Sequence, residues 1–372
     1  MTENGRYFLY LTILTALLYF PGLGSRDFWT PVEPRYAEIA RVMFEKGEWL
    51  VPRVNGEIYT DKPILYFWLV LIGSAFGGEV NEWTVRLPAA LGGIGFVLAT
   101  YLIGRDFISA KIGWFGATVL ATTGRVIWEA RWAHIDALFC CFFTLAIYFG
   151  ARALLGRGKP EEIFYAYACM ALATLAKGLI GVVLPALIFL CFMLARRDWG
   201  LLGGLRLPIG LPLFLLIAAP WFLLVNNATG GQWLSDFIYV HHVQRYTAGA
   251  GHNQPFYYYL KTLPLDFLPW TVFALPALWT YRPYCGIKRD PVALFFVVWF
   301  FAVVLFFSAS DTKRDLYLMP AFPPVALFVA GYLDALASGR LAQGTAFRTC
   351  AYLFYHSLWI GALIAPVIAW RL

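Results

Sequence analysis

Apolar runs of about 20 residues, the length that crosses a bilayer, alternate with short charged connectors along the chain. They predict spanning helices at roughly 7–23, 86–104, 112–129, 136–155, 162–176, 178–195, 207–225, 263–281, 291–309, 316–336 and 349–370. One polar interruption, 24–85, is far longer than the rest. Its Arg26–Pro63 portion interleaves carboxylates and cations with Trp29 and Trp49. A loop of this length is either functional or disordered, and this one is too aromatic and apolar for a disordered tether. Within it Pro34 suits the first turn of a helix and Gly47 its end. Tyr36, Ile39, Ala40 and Met43 then share one face, while Arg35, Glu38, Arg41 and Glu45 share another. That pattern predicts a helix lying flat in a membrane interface, either shielding helix ends or serving a site. Residues 64–77 are apolar but short for a span, and are read as a re-entrant or interfacial helix.

Composition turns this pattern into a fold class. Of 372 residues, 60% are hydrophobic and only 14% charged, against about 25% in soluble domains. The expectation is all-α: one polytopic transmembrane helical bundle of about 11 spans over residues 1–372, with interfacial helices in its long first loop. Extracytoplasmic loops are expected at 24–85 and 226–262. The net charge of +7 reports topology first and predicts no nucleic-acid partner. The six cysteines lie mostly in apolar spans without metal-ligand spacing, so they read as small buried hydrophobes. The first apolar segment follows a single Arg6 and reads as a retained span rather than a cleaved leader.

The basic connectors, Arg105/Lys111, Arg152/Arg157/Lys159, Arg196/Arg197/Arg206, Arg282/Lys288/Arg289 and Arg340/Arg348, fall on one side if 64–77 does not cross. That side is cytoplasmic by the positive-inside rule. The other side then collects the first loop, the Arg131–Asp136 corner, the Lys177 break, the second long loop and the Asp311–Asp315 corner. Ionisable residues at a membrane are functional candidates by default, so five such clusters on one face predict one site.

Each cluster has a bland and a sharp reading. Asp61 and Lys62 before Pro63 are a helix cap with a snorkelling lysine, or an acid and a base at a site. Lys177, between two apolar runs at Gly178, needs an anion or water. Arg131, His134 and Asp136 head a span as an internal ion pair or as catalytic groups. His241, His242, Arg245 and His252 crowd the second loop without the HExxH spacing of a zinc helix. Lys313, Arg314 and Tyr317 add cations where the topology rule disfavours them. Together the cations suit phosphate. With no glycine-rich nucleotide cradle, that phosphate is expected to arrive on a lipid.

The segments PVEPRYAEIARVMFEKGEWLVPRVNG, YTDKPILYFWL, VRLPAALG, the Arg131–Asp136 corner, LAKGLIG, HHVQRY, PFYYYL with PW, and KRDLYLMPAFP are specific in combination. Through them the chain resembles the polyprenyl-phosphate-sugar-dependent glycosyltransferases of the membrane GT-C class, namely the protein mannosyltransferase and lipid A aminoarabinose transferase families. The resemblance implies an inverting glycosyltransferase in the inner membrane with its site facing the periplasm. Its donor would be a polyprenyl-phosphate-linked sugar, and its acceptor lipid A or another glycolipid. A protein Ser/Thr acceptor, as in O-mannosylation, is the alternative. A lipid-linked sugar flippase or transporter is the rival of another class, but it should show internal repeats and matching broken helices, which the sequence lacks.

Carried over position by position, the resemblance makes Lys62 and Lys177 the cations that grip the donor phosphate. Asp61 and His242 become a pair holding zinc or another divalent metal, and Tyr317, with Lys313 or Arg314, the corner that closes over the donor. Arg35, Tyr59, Arg131, Asp136 and Arg245 become donor- or substrate-binding residues. The chain departs from the family at Val32-Glu33, where Asp-Glu is usual and the aspartate is the residue normally assigned to catalysis. Either Glu33 moves into that role, or the acceptor is acidic, or catalysis is impaired; a helix cap is the bland reading of Glu33. The family also usually continues into further spans and a soluble extracytoplasmic domain, which a chain stopping at Leu372 is expected to lack.

Overall fold

Helix α1 (Glu3–Tyr19) starts on Thr2, whose hydroxyl accepts from the Gly5 N–H. In the computed structural model, which describes residues 2–244, 253–281 and 290–371, it leads into the long first loop. There the amphipathic stretch forms α2 (Val32–Lys46), with Tyr36, Ile39, Ala40 and Met43 buried. Arg41 on the opposite face pairs with Glu38 and Glu45. Gly47 ends the helix at φ 64, a left-handed conformation open to glycine.

The all-α architecture carries one small hairpin here. Strands β1 (Arg53–Val54) and β2 (Glu57–Ile58) form a small antiparallel hairpin. Its turn is Asn55-Gly56, both at positive φ, the sequence signal of a tight hairpin turn. The short apolar segment then forms α3 (Leu65–Gly77), 13 residues long. At 1.5 Å per residue that is about 20 Å, short of a hydrocarbon core of about 30 Å.

The bundle follows as α4 (Glu82–Phe107), α5 (Ala110–Ala121), α6 (Gly124–Ala130), α7 (Ile135–Leu154), α8 (Ile163–Lys177), α9 (Ile180–Arg196) and α10 (Leu207–Ala228). It continues with α11 (Gln232–Ile238), α12 (Tyr258–Asp266), α13 (Thr271–Tyr281), α14 (Pro291–Ala309), α15 (Phe322–Ala337) and α16 (Thr345–Arg371). Helix α4 starts earlier than its apolar run because Asn81 and Thr84 close a capping box. Two expected spans are each split in two. The 112–129 run breaks at Thr122 and Thr123, whose hydroxyls bond back to the Thr118 and Val119 carbonyls. The 263–281 run breaks around Pro269, between α12 and α13. Among the described residues α4, α7, α10, α14 and the stretch Asp315–Ala337 are long and apolar enough to cross a membrane.

Helix α4 is the axis of the packing, lying against α7, α5, α1 and α3. Small residues make the approach possible. A Cβ on Gly92 would stand 2.5 Å from the Leu138 Cα, and one on Gly104 would stand 2.4 Å from the Gly113 Cα. Leu215, Leu216, Leu223 and Leu224 of α10 face outward and exposed, as lipid-facing positions do. One end of the bundle gathers the described basic connectors. Lys111 pairs with Asp334 at 2.7 Å, and Arg157 donates to the Asp106 carbonyl at 2.8 Å.

Candidate active site

The opposite end of the bundle brings the five predicted clusters together. The Ala133 N–H of the Arg131–Asp136 corner bonds Glu33 of the first loop at 2.9 Å. Lys177 reaches Asp136 at 2.5 Å, and its ammonium lies 4.8 Å from the Tyr317 ring centre. Thr60 meets His241 at 3.1 Å, and Asn253 pairs with Thr312 through the backbone.

Glu33 lies at the centre of a saturated ionic clamp. Arg86, wholly buried, donates to both its oxygens at 2.9 Å. Arg26 donates to both at 2.9 and 3.1 Å, and the Trp29 and Ala133 N–H groups add one bond each at 2.9 Å. Burial pushes the Glu33 pKa up, but Arg86, Arg26 and the two backbone donors outweigh it and hold the carboxyl down at about 2. A carboxylate with six donors and so low a proton affinity is a poor base. Its place in the fold is that of a brace, pinning the N-terminus of α2 to α4 and to the 131–134 corner, and its low proton affinity counts against a role as base.

Beside the clamp lies a half-open cavity of about 450 Å³. Apolar groups of α9 and α14, Leu179, Ile180, Val183, Phe306 and Phe307, form its walls, and Asp61, Lys62, Lys177, His241 and Tyr317 supply its polar lining. The two lysines thus share one space. Each already has a carboxylate beside it. Lys62 sits 3.3 Å from Asp61. Lys177 is held by Asp136 and lies over the Phe139 and Tyr317 rings at 4.9 and 4.8 Å. Lys177 closes α8 where Gly178 turns the chain at φ 96, which is why its ammonium is delivered to a wall between two apolar helices. A second, polar hollow of about 330 Å³ shares Asp61 and His241 with the first and adds Arg35, Tyr59 and Thr60. Burial pushes the Tyr59 phenol upward, opposed by the neighbouring Arg35.

The other expected residues divide. Tyr317 lines the cavity, and Asp136 is the counter-ion of the cavity-lining Lys177. Arg131 is not; it donates to the Leu18 and Pro21 carbonyls at 2.9 and 2.7 Å, tying down the end of α1. Lys313 is buried and donates to the Gln254 and Ser310 carbonyls, so it braces its corner. The Arg314 carbonyl accepts from the Tyr259 hydroxyl at 3.2 Å. Arg245, His252 and the His242 side chain lie outside the described residues. The imidazole seen beside Asp61 is that of His241, with Nδ1 3.4 Å from Oδ1. Among the described residues no three potential ligands gather for a metal. Asp61 and His241 alone do not make the set zinc needs.

The sequence reading missed Arg86, although VRLPAALG was noted, because a lone arginine at the head of a span reads as snorkelling. It also missed the buried network in which Arg125 holds Asp266 and Asp315 and meets Glu129 at 3.3 Å. The i, i+4 spacing of Arg125 and Glu129 was the available signal.

The profile of the family described as dolichyl-phosphate-mannose-protein mannosyltransferase matches residues 5–234. The chain is 30% identical over 339 residues to the undecaprenyl phosphate-alpha-4-amino-4-deoxy-L-arabinose arabinosyl transferase of Pectobacterium atrosepticum, covering 88% of this chain and 59% of that protein. The protein so named in Shewanella sediminis is 31% identical, with 84% of this chain and 57% of the relative covered. The chain thus spans under two thirds of the length of these relatives. The solved structure of ArnT from Cupriavidus metallidurans bound to undecaprenyl phosphate superposes with a TM-score of 0.86 at 28% identity, over 99% of this chain and 66% of that one. The oligosaccharyltransferase AglB of Archaeoglobus fulgidus shares the fold, at a TM-score of 0.60 and 14% identity over 95% of this chain and 54% of that one.

Proposed function

Because the chain belongs to the dolichyl-phosphate-mannose-protein mannosyltransferase family, we propose that it transfers a sugar from a polyprenyl phosphate to an acceptor, inverting the anomeric carbon. The acceptor is lipid A or another glycolipid, and the site faces the periplasm across the inner membrane. One observation carries this reading: an apolar cavity that ends at two lysines. A long isoprenoid tail needs the apolar walls of α9 and α14, and its phosphate needs the cations. The likeness to a structure that holds undecaprenyl phosphate supports the lipid-phosphate carrier, and the names of the relatives support an aminoarabinose as the sugar it carries. The clustering of charge at one end of the bundle argues against a transport path through its middle.

As the sugar leaves, charge grows on the phosphate oxygen that had carried it. Lys62 and Lys177, pre-set by Asp61 and Asp136, stabilise that charge more than they stabilise the intact donor, which lowers the barrier. Tyr317, already under the Lys177 ammonium, closes the phosphate end from the α14 side. The test is transfer from undecaprenyl-phosphate aminoarabinose to lipid A by the full chain in liposomes. Transfer is expected from the wild type and loss of at least 100-fold in Lys62→Ala, the scale of removing one charge-stabilising donor. Label appearing on protein Ser/Thr instead would replace the acceptor. Donor crossing the membrane unconsumed would overturn the reading.

A further inference from the structure

Helix α9 starts at the lysine cavity and, at 1.5 Å per residue, runs about 25 Å to Arg196 at the other end of the bundle. There the chain passes into α10 through one 3₁₀ turn, Trp199–Leu205. The connection is pinned from within: Leu205 is buried, and its carbonyl accepts from the Tyr167 hydroxyl of α8 at 2.9 Å. The connection also carries Arg196, Arg197 and Arg206. Arg197 and Arg206 are exposed, as are the apolar Trp199, Leu202 and Leu207 between and beside them.

These arginines differ from other cations at the same end. Arg105 and Arg152 meet Asp106, and Lys111 and Arg340 meet Asp334. Arg196, Arg197 and Arg206 have no carboxylate partner among the described residues. The one carboxylate within the connection, Asp198, accepts from the Gly200 N–H at 3.1 Å. Helix α10 opens with no acidic residue in its first turn and no side-chain cap. The junction is therefore a positive surface rimmed by apolar groups.

Membrane topology explains why the connection is basic, and a cation at the end of α9 also suits the helix dipole. Neither explains the backbone. Arg197 and Arg206 hold φ 54 and 45, the left-handed region that usually falls to glycine. Glycines stand close by at 200, 203 and 204, yet arginine fills both costly positions. Such an outlier marks a place where the side chain matters more than the strain.

We propose that the α9–α10 connection binds an anionic phospholipid of the leaflet away from the lysine cavity. The guanidinium groups of Arg197 and Arg206, backed by Arg196, make charge-assisted bonds to headgroup phosphate. Trp199 sits at headgroup level, and Leu202 and Leu207 meet the acyl chains. Basic sites between spanning helices take such headgroups. A lipid seated here steadies α9, which walls the cavity, and α10, whose Trp221 holds the first loop.

The experiment titrates the purified full chain in detergent with dioleoylphosphatidylglycerol or dioleoylphosphatidylcholine, reading bound lipid and melting temperature. Phosphatidylglycerol should bind and raise the melting temperature, and phosphatidylcholine should do neither. Arg197→Gln and Arg206→Gln should each weaken phosphatidylglycerol binding about fivefold, and the triple variant with Arg196→Gln about 100-fold. Undecaprenyl phosphate binding should be unchanged in all three. Arg348→Gln, which removes an exposed cation from another connector, should bind phosphatidylglycerol as the wild type does. The single variants decide even where the triple variant fails to insert. Equal binding of the two lipids, or wild-type affinity in both single variants, would overturn the proposal and leave the arginines as topology signals. An equal loss in Arg348→Gln would also overturn it, by assigning the binding to overall charge.

Discussion

The Glu33 clamp and the Lys177–Asp136 pair stand at the same end of the bundle and are both buried ion pairs, yet they differ in what is left over. Around Glu33 nothing is left. Arg86 gives its remaining donors to the Leu23, Arg26 and Asp27 carbonyls, so every charge and several backbone groups depend on one another. Around Lys177 one carboxylate and two aromatic faces hold the ammonium, and the rest of its surroundings is cavity. A buried pair rarely adds stability over apolar packing, but a pair with one partner removed is costly. The clamp therefore sets geometry, while the cavity pair leaves a cation at the edge of an open space.

The sharpest way to break this contrast is to remove partners singly and together. Glu33→Ala or Arg86→Ala should destabilise the fold by about 3–5 kcal/mol, because each strands a buried charge. The double variant should not recover, since the Trp29 and Ala133 N–H groups and three carbonyls still lose their partners. Unfolding of the purified variants in detergent measures it, and recovery in the double variant would dissolve the distinction.

At the cavity the opposite pattern is expected. Lys177→Ala strands Asp136 and should lower stability, while Lys177→Ala/Asp136→Ala should restore most of it. Binding of undecaprenyl phosphate should stay weakened at least 10-fold in both, a loss of about 1.4 kcal/mol. Restored binding in the double variant would remove Lys177 as a phosphate partner.

The smallest effect is titration of the clamp. Glu33 is held near 2 against an ordinary 4.5, so it contributes stability that is fully present above pH 4.5. That stability is lost as pH falls from 4.5 through about 2, when the carboxyl takes up a proton and its six bonds weaken. The melting temperature of the wild type should fall over this window, and Glu33→Gln should show a shallower fall. Parallel curves would show that other carboxylates govern the acid limb.

Helix positions were largely legible because apolar period and capping residues act locally. The α2 faces, the Gly47 stop and the short α3 all follow from nearest neighbours in sequence. The breaks at Thr122–Thr123 and Pro269 were hidden inside apolar runs, where hydropathy averages over a hydroxyl or a proline. At the site the sequence could say which clusters share a side, but not which member of each points inward. His241 lies beside Asp61, and no pattern along the second loop marks that pairing. Arg131 and Lys313 looked like phosphate ligands from charge alone, while their donors go to carbonyls in the fold. Burial of that kind depends on contacts far apart in the chain, and no window of residues contains them.

Three indole N–H groups anchor the first loop. Trp68 bonds the Trp49 carbonyl at 2.7 Å, Trp221 the Leu50 carbonyl at 3.1 Å and Trp233 the Tyr59 carbonyl at 3.0 Å. The last two span 171 and 174 residues of sequence. At about 5–20 residues per second a ribosome needs roughly 10–35 s to make that stretch. For that interval the loop emerges with only its nearest anchor available, and its remaining carbonyls must stay with water or headgroups. The first loop therefore closes onto its long-range anchors only after α10 and α11 have been made.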